Sequence, residues 1–134
     1  MPIIKHAANA DVRVISIDIV RLVEGPHIDQ CFREIAEVID KTQESCLLLH
    51  FGRVAFLSSA ALGLLVRVLK KCKQYNIDLK LCNIATEIRE VFKITAMDKI
   101  FDIHDDAAKA MAAFQKSGRL FYRRNNPTSY EVKD

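Results

Sequence analysis

Residues 54–66 read Val54-Ala55-Phe56-Leu57-Ser58-Ser59-Ala60-Ala61-Leu62-Gly63-Leu64-Leu65-Val66. An apolar run breaks at two serines and resumes with helical composition. A serine oxygen accepts a hydrogen bond from an unpaired amide of a helix's first turn. The stretch therefore predicts a loop running straight into a helix that begins at the serines. That end of a helix is also its positive pole, where a phosphate is best tolerated. On the residues alone, the two hydroxyls read either as helix caps or as groups that chemistry can reach.

Working upstream, Cys46-Leu47-Leu48-Leu49 is a short continuous apolar run, which predicts a buried central strand. His50-Phe51-Gly52-Arg53 then reads as a loop. Ile28, Phe32, Ile35 and Ile39 recur at helical spacing among charged residues, an amphipathic helix with His27 or Asp29 near its start. Before it, the β-branched stretch from Val12 to Leu22 predicts one strand, closed by the turn Glu24-Gly25-Pro26. Ile3 and Ile4 suit a short partner strand.

Downstream, Asn76 is a stop signal, and Ile77-Asp78-Leu79-Lys80-Leu81 alternates as a strand does. Thr86 is a candidate cap for a helix with Ile88, Val91, Phe92 and Thr95 on its apolar face. Ile100 and Phe101 are expected to point inward. Asp105 or Asp106 caps a last helix carrying Ala107, Ala110, Met111 and Phe114. Strands alternating with helices predict the α/β class: a mixed sheet of about four or five strands covered by about four helices. The domain is expected over residues 1–117. The periodicity fails from Gly118, so 118–134 reads as a tail.

Composition excludes several functions. A chain of 134 residues fits one domain with a real core, and a net charge of +3 is too small to imply direct nucleic-acid binding. The longest uncharged apolar run, between Arg53 and Arg67, is too short to span a bilayer, and the first residues lack a signal-peptide core. A cytoplasmic protein is expected. Cys31, Cys46, Cys72 and Cys82 stand far apart and read as free buried thiols. His6, His27, His50 and His104 have no ligand spacing for a metal, and Gly52 and Gly63 stand alone, so no metal and no cofactor are expected. The tail segment Arg119-Leu120-Phe121-Tyr122-Arg123-Arg124 interleaves basic and aromatic residues, a pattern more often solvated than functional.

From about Val12 to Phe114, the order of these pieces resembles the STAS domain family, anti-sigma factor antagonist type. Glu24-Gly25 with Asp29 is similar to the family's Gly and Asp after its first long strand. Phe56 to Gly63 holds the register of its motif Asp-Ser-Ser/Thr-Gly-Leu-Gly. The segments 88–95 and 97–101 are similar to the family's third helix and the stretch directly after it. The resemblance implies a regulatory binding module. Its partner is a serine-kinase anti-sigma factor that phosphorylates the serine after the motif Asp, and a serine phosphatase completes the cycle. Carried over by position, the acceptor is Ser59, with Ser58 as the alternative. Among the positions that depart from the pattern, Ser58 stands for the Asp, His50 for an acidic residue at the end of the central strand, and Ala61 for the Gly.

A helical step of 100° with Leu62, Leu65, Val66 and Leu69 inward turns Ala60, Leu64, Arg67 and Lys71 outward, with Val68 at the edge. Together with Ser58 and Ser59 these form the expected partner-binding surface; the competing reading packs a neighbouring helix over Leu64 or Val68. At the level of function, the alternative is a STAS adaptor or scaffold subunit in which the serines only cap. A hydrolase is disfavoured because no Gly-x-Ser-x-Gly elbow surrounds Ser59.

Overall fold

The strands at the centre of the sheet are apolar on both faces, so helices must cover both. The computed structural model describes residues 2–23 and 25–117 and shows this layering. In chain order the elements are β1 (Ile4–Asn9), β2 (Val12–Ile17), β3 (Arg21–Leu22), α1 (Pro26–Lys41), β4 (Cys46–His50), β5 (Phe56–Leu57), α2 (Ser59–Gln74), β6 (Asp78–Cys82), α3 (Thr86–Ile94), a 3-10 turn (Met97–Lys99), β7 (Asp102–His104) and α4 (Ala107–Ser117). The main sheet runs β1-β2-β4-β6-β7. β1 is antiparallel to β2, and the remaining pairs are parallel. Among the described residues, four helices and a mixed five-stranded sheet match the expected class. The expected tail, 118–134, lies outside the described residues.

One face of the sheet presents Ile15, Ile17, Leu47, Leu49, Leu79 and Leu81 to α1, α2 and α3. The other presents Val12, Cys46, Leu48 and Cys82 to Ala110 and Phe114 of α4. Lys80 is buried on that second face, where Asp102 and Asp78 pair with its ammonium and the Phe114 ring lies 4.9 Å away. A buried charge is tolerated only when so partnered. All four cysteines are buried, and none forms a disulfide.

The strand expected over 12–22 is two strands. After Ile17 the Asp18 amide donates to the Ile3 carbonyl (2.6 Å), and the Asp18 carboxylate pairs with Lys5 (3.5 Å) and Arg53 (3.3 Å). The chain then leaves the main sheet, and the Val20 carbonyl accepts from the amides of Ala55 and Phe56. β3 and β5 thus form a separate parallel pair, Arg21 beside Phe56 and Leu22 beside Leu57. α1 opens on Gly25, whose φ of 108° only glycine adopts readily, with Pro26 in the first turn.

Three further expectations are corrected. Thr86 is the first helical residue of α3, and Ala85 holds the cap position without a side-chain bond. Ile100 is exposed; the 3-10 turn spends its inward position on Phe101, which meets the Phe92 ring edge-on at 5.9 Å. Helix α2 is rotated about its axis relative to the sequence reading. It buries Ala61, Leu62, Leu64, Leu65, Val68 and Cys72, while Val66 and Leu69 are half-buried. Asp106 does cap α4, accepting from the Lys109 amide at 2.8 Å.

Candidate functional site

The β3–β5 pair delivers the chain to the start of α2. The Ser58 amide donates to the Leu22 carbonyl (3.1 Å), which anchors the cap residue to β3. Ser58 is extended (φ −88°, ψ 168°), and its Oγ accepts from the Ala61 amide at 3.3 Å. This is the geometry of a serine N-cap. Ser59 is the first helical residue; its side chain is exposed and makes no hydrogen bond among the described residues. No acidic residue occupies the first turn of α2, so no carboxylate within that turn offsets the positive pole of the helix.

The departures from the motif acquire physical meaning in this geometry. Asp and Ser are comparable N-caps, so Ser58 preserves the helix start while removing a negative charge beside Ser59. Ala61 is fully buried, so its methyl faces the core and presents nothing to a partner. His50 ends β4, and its Nδ1 accepts from the Gly52 amide at 3.1 Å. A Cβ at Gly52 would lie 2.5 Å from the His50 Cε1 atom, so glycine is what lets the turn close over the ring.

The residues expected to form a partner surface are not all at the surface. Ala60 and Arg67 are exposed. Leu64 (1%) and Val68 (0%) are core residues, which corrects their outward placement. Lys71 is half-buried and already engaged: it pairs with Asp40 of α1 at 2.9 Å and lies over the Tyr75 ring. Arg67 stacks on Phe32 of α1 at 3.9 Å. Val66 and Leu69, expected inward, take the flank that Leu64 and Val68 vacate.

The apolar surface beside the serines comes from elsewhere. Val20 is 42% exposed and Phe56 51%, with the Arg21 guanidinium over the Phe56 ring at 4.6 Å. A sequence signal for Phe56 existed: in a two-residue strand just before a cap, alternation turns one of Phe56 and Leu57 outward. For Val20 there is none, because the β-branched stretch from Val12 to Leu22 shows no local break.

Other reactive groups are quiet. Burial, and after it the Glu34 carboxylate, push the Cys31 thiol up to about 12. Burial and then Asp106 push Cys82 up to about 11. Both are therefore thiols, not thiolates, near neutral pH. Among the described residues no cluster of three or more His, Cys, Asp or Glu side chains is placed to hold a metal ion. None of the described helices is long and apolar enough to cross a membrane.

Comparison with known proteins identifies the family to which a sheet of this order belongs. The STAS domain profile matches residues 9–110, and the chain belongs to the STAS domain family. BtrV of Bordetella bronchiseptica, whose name assigns it to the anti-sigma factor antagonists, is 32% identical over 94 residues, 70% of this chain and 80% of BtrV. Among solved structures, a STAS domain anti-sigma factor antagonist from Planctomyces limnophilus superposes with a TM-score of 0.71 at 24% identity, covering 84% of this chain and 97% of its own. The Bacillus cell fate determinant SpoIIAA, solved in its phosphorylated form, superposes with a TM-score of 0.60 at 15% identity, covering 82% and 97%.

Proposed function

We propose that this chain is an anti-sigma factor antagonist that binds a serine-kinase anti-sigma factor and is switched by phosphorylation of Ser59. The observation that carries the reading is the division of labour at the start of α2. Ser58 spends its oxygen on the cap, while Ser59, one residue on, offers an exposed hydroxyl with no hydrogen-bond partner among the described residues. The family membership, the likeness to BtrV and the existence of SpoIIAA in a phosphorylated form support the same reading.

In this scheme the γ-phosphoryl of the kinase's ATP passes to Ser59 Oγ, the hydroxyl proton is lost, and ADP departs. Phosphoserine adds about −1.5 to −2 charges and three acceptor oxygens. The positive pole of α2 tolerates that charge, so the domain stays folded. A kinase surface that had docked on a neutral hydroxyl, with Phe56 and Val20 beside it, meets steric and electrostatic conflict. A serine phosphatase restores the binding form. No base is hydrogen-bonded to Ser59 among the described residues, so the hydroxyl acts as an acceptor of chemistry performed elsewhere.

The test is phosphorylation by the cognate kinase with ATP and then site mapping. Phosphate on Ser59 supports the reading. Phosphate on Ser58 alone, or on neither serine, overturns the switch; binding that persists with neither serine modified identifies an adaptor whose serines only cap.

A further inference from the structure

We propose that two copies of this chain pair through β1, antiparallel, about a two-fold axis at Ala7. Among the described residues β1 is an edge of the main sheet, with β2 on one side only. Sheet edges are normally blunted by proline, bulges, clustered charge or a covering element. Residues 4–9, Ile-Lys-His-Ala-Ala-Asn, contain no proline, and everything after Ile4 is exposed. The one lysine is turned to Asp18 (3.5 Å).

The backbone register fixes what this edge offers. Ile4 lies opposite Ile17, and the Asp18 amide donates to the Ile3 carbonyl. Antiparallel hydrogen-bonded pairs alternate along a ladder. The odd residues of β1 therefore bond to β2, and the even ones, Ile4, His6 and Ala8, direct N–H and C=O away from it. The Ile4 amide is already taken: Glu34 Oε1 of α1 accepts from both Ile3 (2.7 Å) and Ile4 (3.0 Å). At the other end Ala10 has a φ of 51° and leaves the strand. The open stretch is thus bounded on both sides and consists of the backbone groups of His6 and Ala8.

A second copy matches this stretch in one register. With the axis at Ala7, His6 of each copy exchanges N–H···O=C bonds with Ala8 of the other, using neither the Ile4 amide nor the Ala10 turn. Ala7 meets Ala7 at the close, non-hydrogen-bonded position, where small side chains fit. Lys5 falls opposite Asn9, so no like charges face each other. Moving the axis to His6 sets histidine against histidine and needs the occupied Ile4 amide; moving it to Ala8 needs Ala10 inside the strand. A two-fold axis also closes the assembly, which leaves the β7 edges outermost.

The test is sedimentation velocity of the full chain across a wide dilution series, with three variants. The wild type is expected to show a reversible dimer. Ala8→Pro removes only an amide directed away from β2 and should be monomeric; Ala7→Lys, which puts like charges at the axis on a residue exposed in the monomer, should also be monomeric. Ala7→Cys adds an exposed thiol to a chain whose own cysteines are buried, and mild oxidation should give a covalent dimer that the wild type does not form. A wild type that is monomeric throughout overturns the proposal. So does a dimer that survives Ala7→Lys, or an Ala7→Cys protein that does not cross-link. If Ala8→Pro fails to fold, Ala7→Lys and Ala7→Cys decide the matter between them.

Discussion

Ser58 and Ala61 close the first turn of α2: the Ala61 amide donates to Ser58 Oγ at 3.3 Å, and the hydroxyl of Ser59, between them, takes no part. Adjacent residues of one type therefore have separable roles. One supports the helix, and the other is available to a partner.

Removal of the two hydroxyls should have unequal effects on stability. Ser58→Ala is expected to cost about 1 kcal/mol, the ordinary loss for an N-cap serine. Ser59→Ala should stay within about 0.5 kcal/mol of wild type, as exposed substitutions do. Chemical denaturation of the two variants measures both; equal losses would show that Ser59 also supports the helix.

A permanent negative charge at Ser59 should separate binding from folding. Ser59→Asp places a carboxylate in the first turn of α2, where the dipole favours it by about 0.3–1 kcal/mol. The variant should melt at or slightly above the wild-type temperature and lose affinity for the kinase partner. Calorimetric titration and a thermal melt report the two effects independently. A variant that melts far below wild type would place Ser59 in the packing of the domain.

The core position of Leu64 makes Leu64→Glu a folding mutation. Truncating such a residue to alanine costs about 2–5 kcal/mol, and a buried, unpaired carboxylate adds to that loss. Circular dichroism should find Leu64→Glu largely unfolded. Ala60→Glu, on the exposed face beside the serines, should keep the wild-type melt while weakening partner binding.

Gly52 and His50 should be energetically coupled. A methyl at position 52 would lie 2.5 Å from His50 Cε1, so the ring must swing away and give up its bond from the Gly52 amide. Gly52→Ala should cost about 1 kcal/mol in the wild-type background, the worth of one such hydrogen bond. In a His50→Ala background the same change should be neutral, or stabilising by about 0.4–1 kcal/mol through the unfolded chain's lost freedom. A double-mutant cycle reads the coupling directly.

Acid sensitivity should trace in part to Glu44. Burial works to raise its pKa, but hydrogen bonds from Thr42 and Arg13, with the Arg13 charge, outweigh it and hold the carboxyl below its ordinary value. A carboxyl lowered by folding contributes stability that is complete above its unfolded pKa, about 4.3 for glutamate, and is lost as pH falls through the folded value. Glu44→Gln should therefore be less stable than wild type at neutral pH, with the gap narrowing as pH drops below about 4. Thermal melts across that range check the convergence; a constant gap would remove Glu44 from the account.

The chain alone determined the elements whose signals are local. The apolar run Cys46 to Leu49 has the length of a buried strand rather than of a helix, and it forms one. The two serines before a helical stretch marked where α2 begins, because capping is decided within one turn. The α/β class came from alternating periods along the sequence. What the sequence left undecided was the rotation of α2. Ala61, Leu62, Leu64, Leu65, Val66, Val68 and Leu69 wrap apolar side chains around much of the helix, so several inward faces satisfy the pattern about equally. Only packing against the sheet and α1 at once selects Leu64 and Val68 for the core, and it gives Arg67 a ring to stack on and Lys71 an aspartate. The split of residues 12–22 has a similar cause. Val20 leaves the main sheet because its carbonyl receives amides from Ala55 and Phe56, more than thirty residues along the chain, and no local propensity records a partner at that distance.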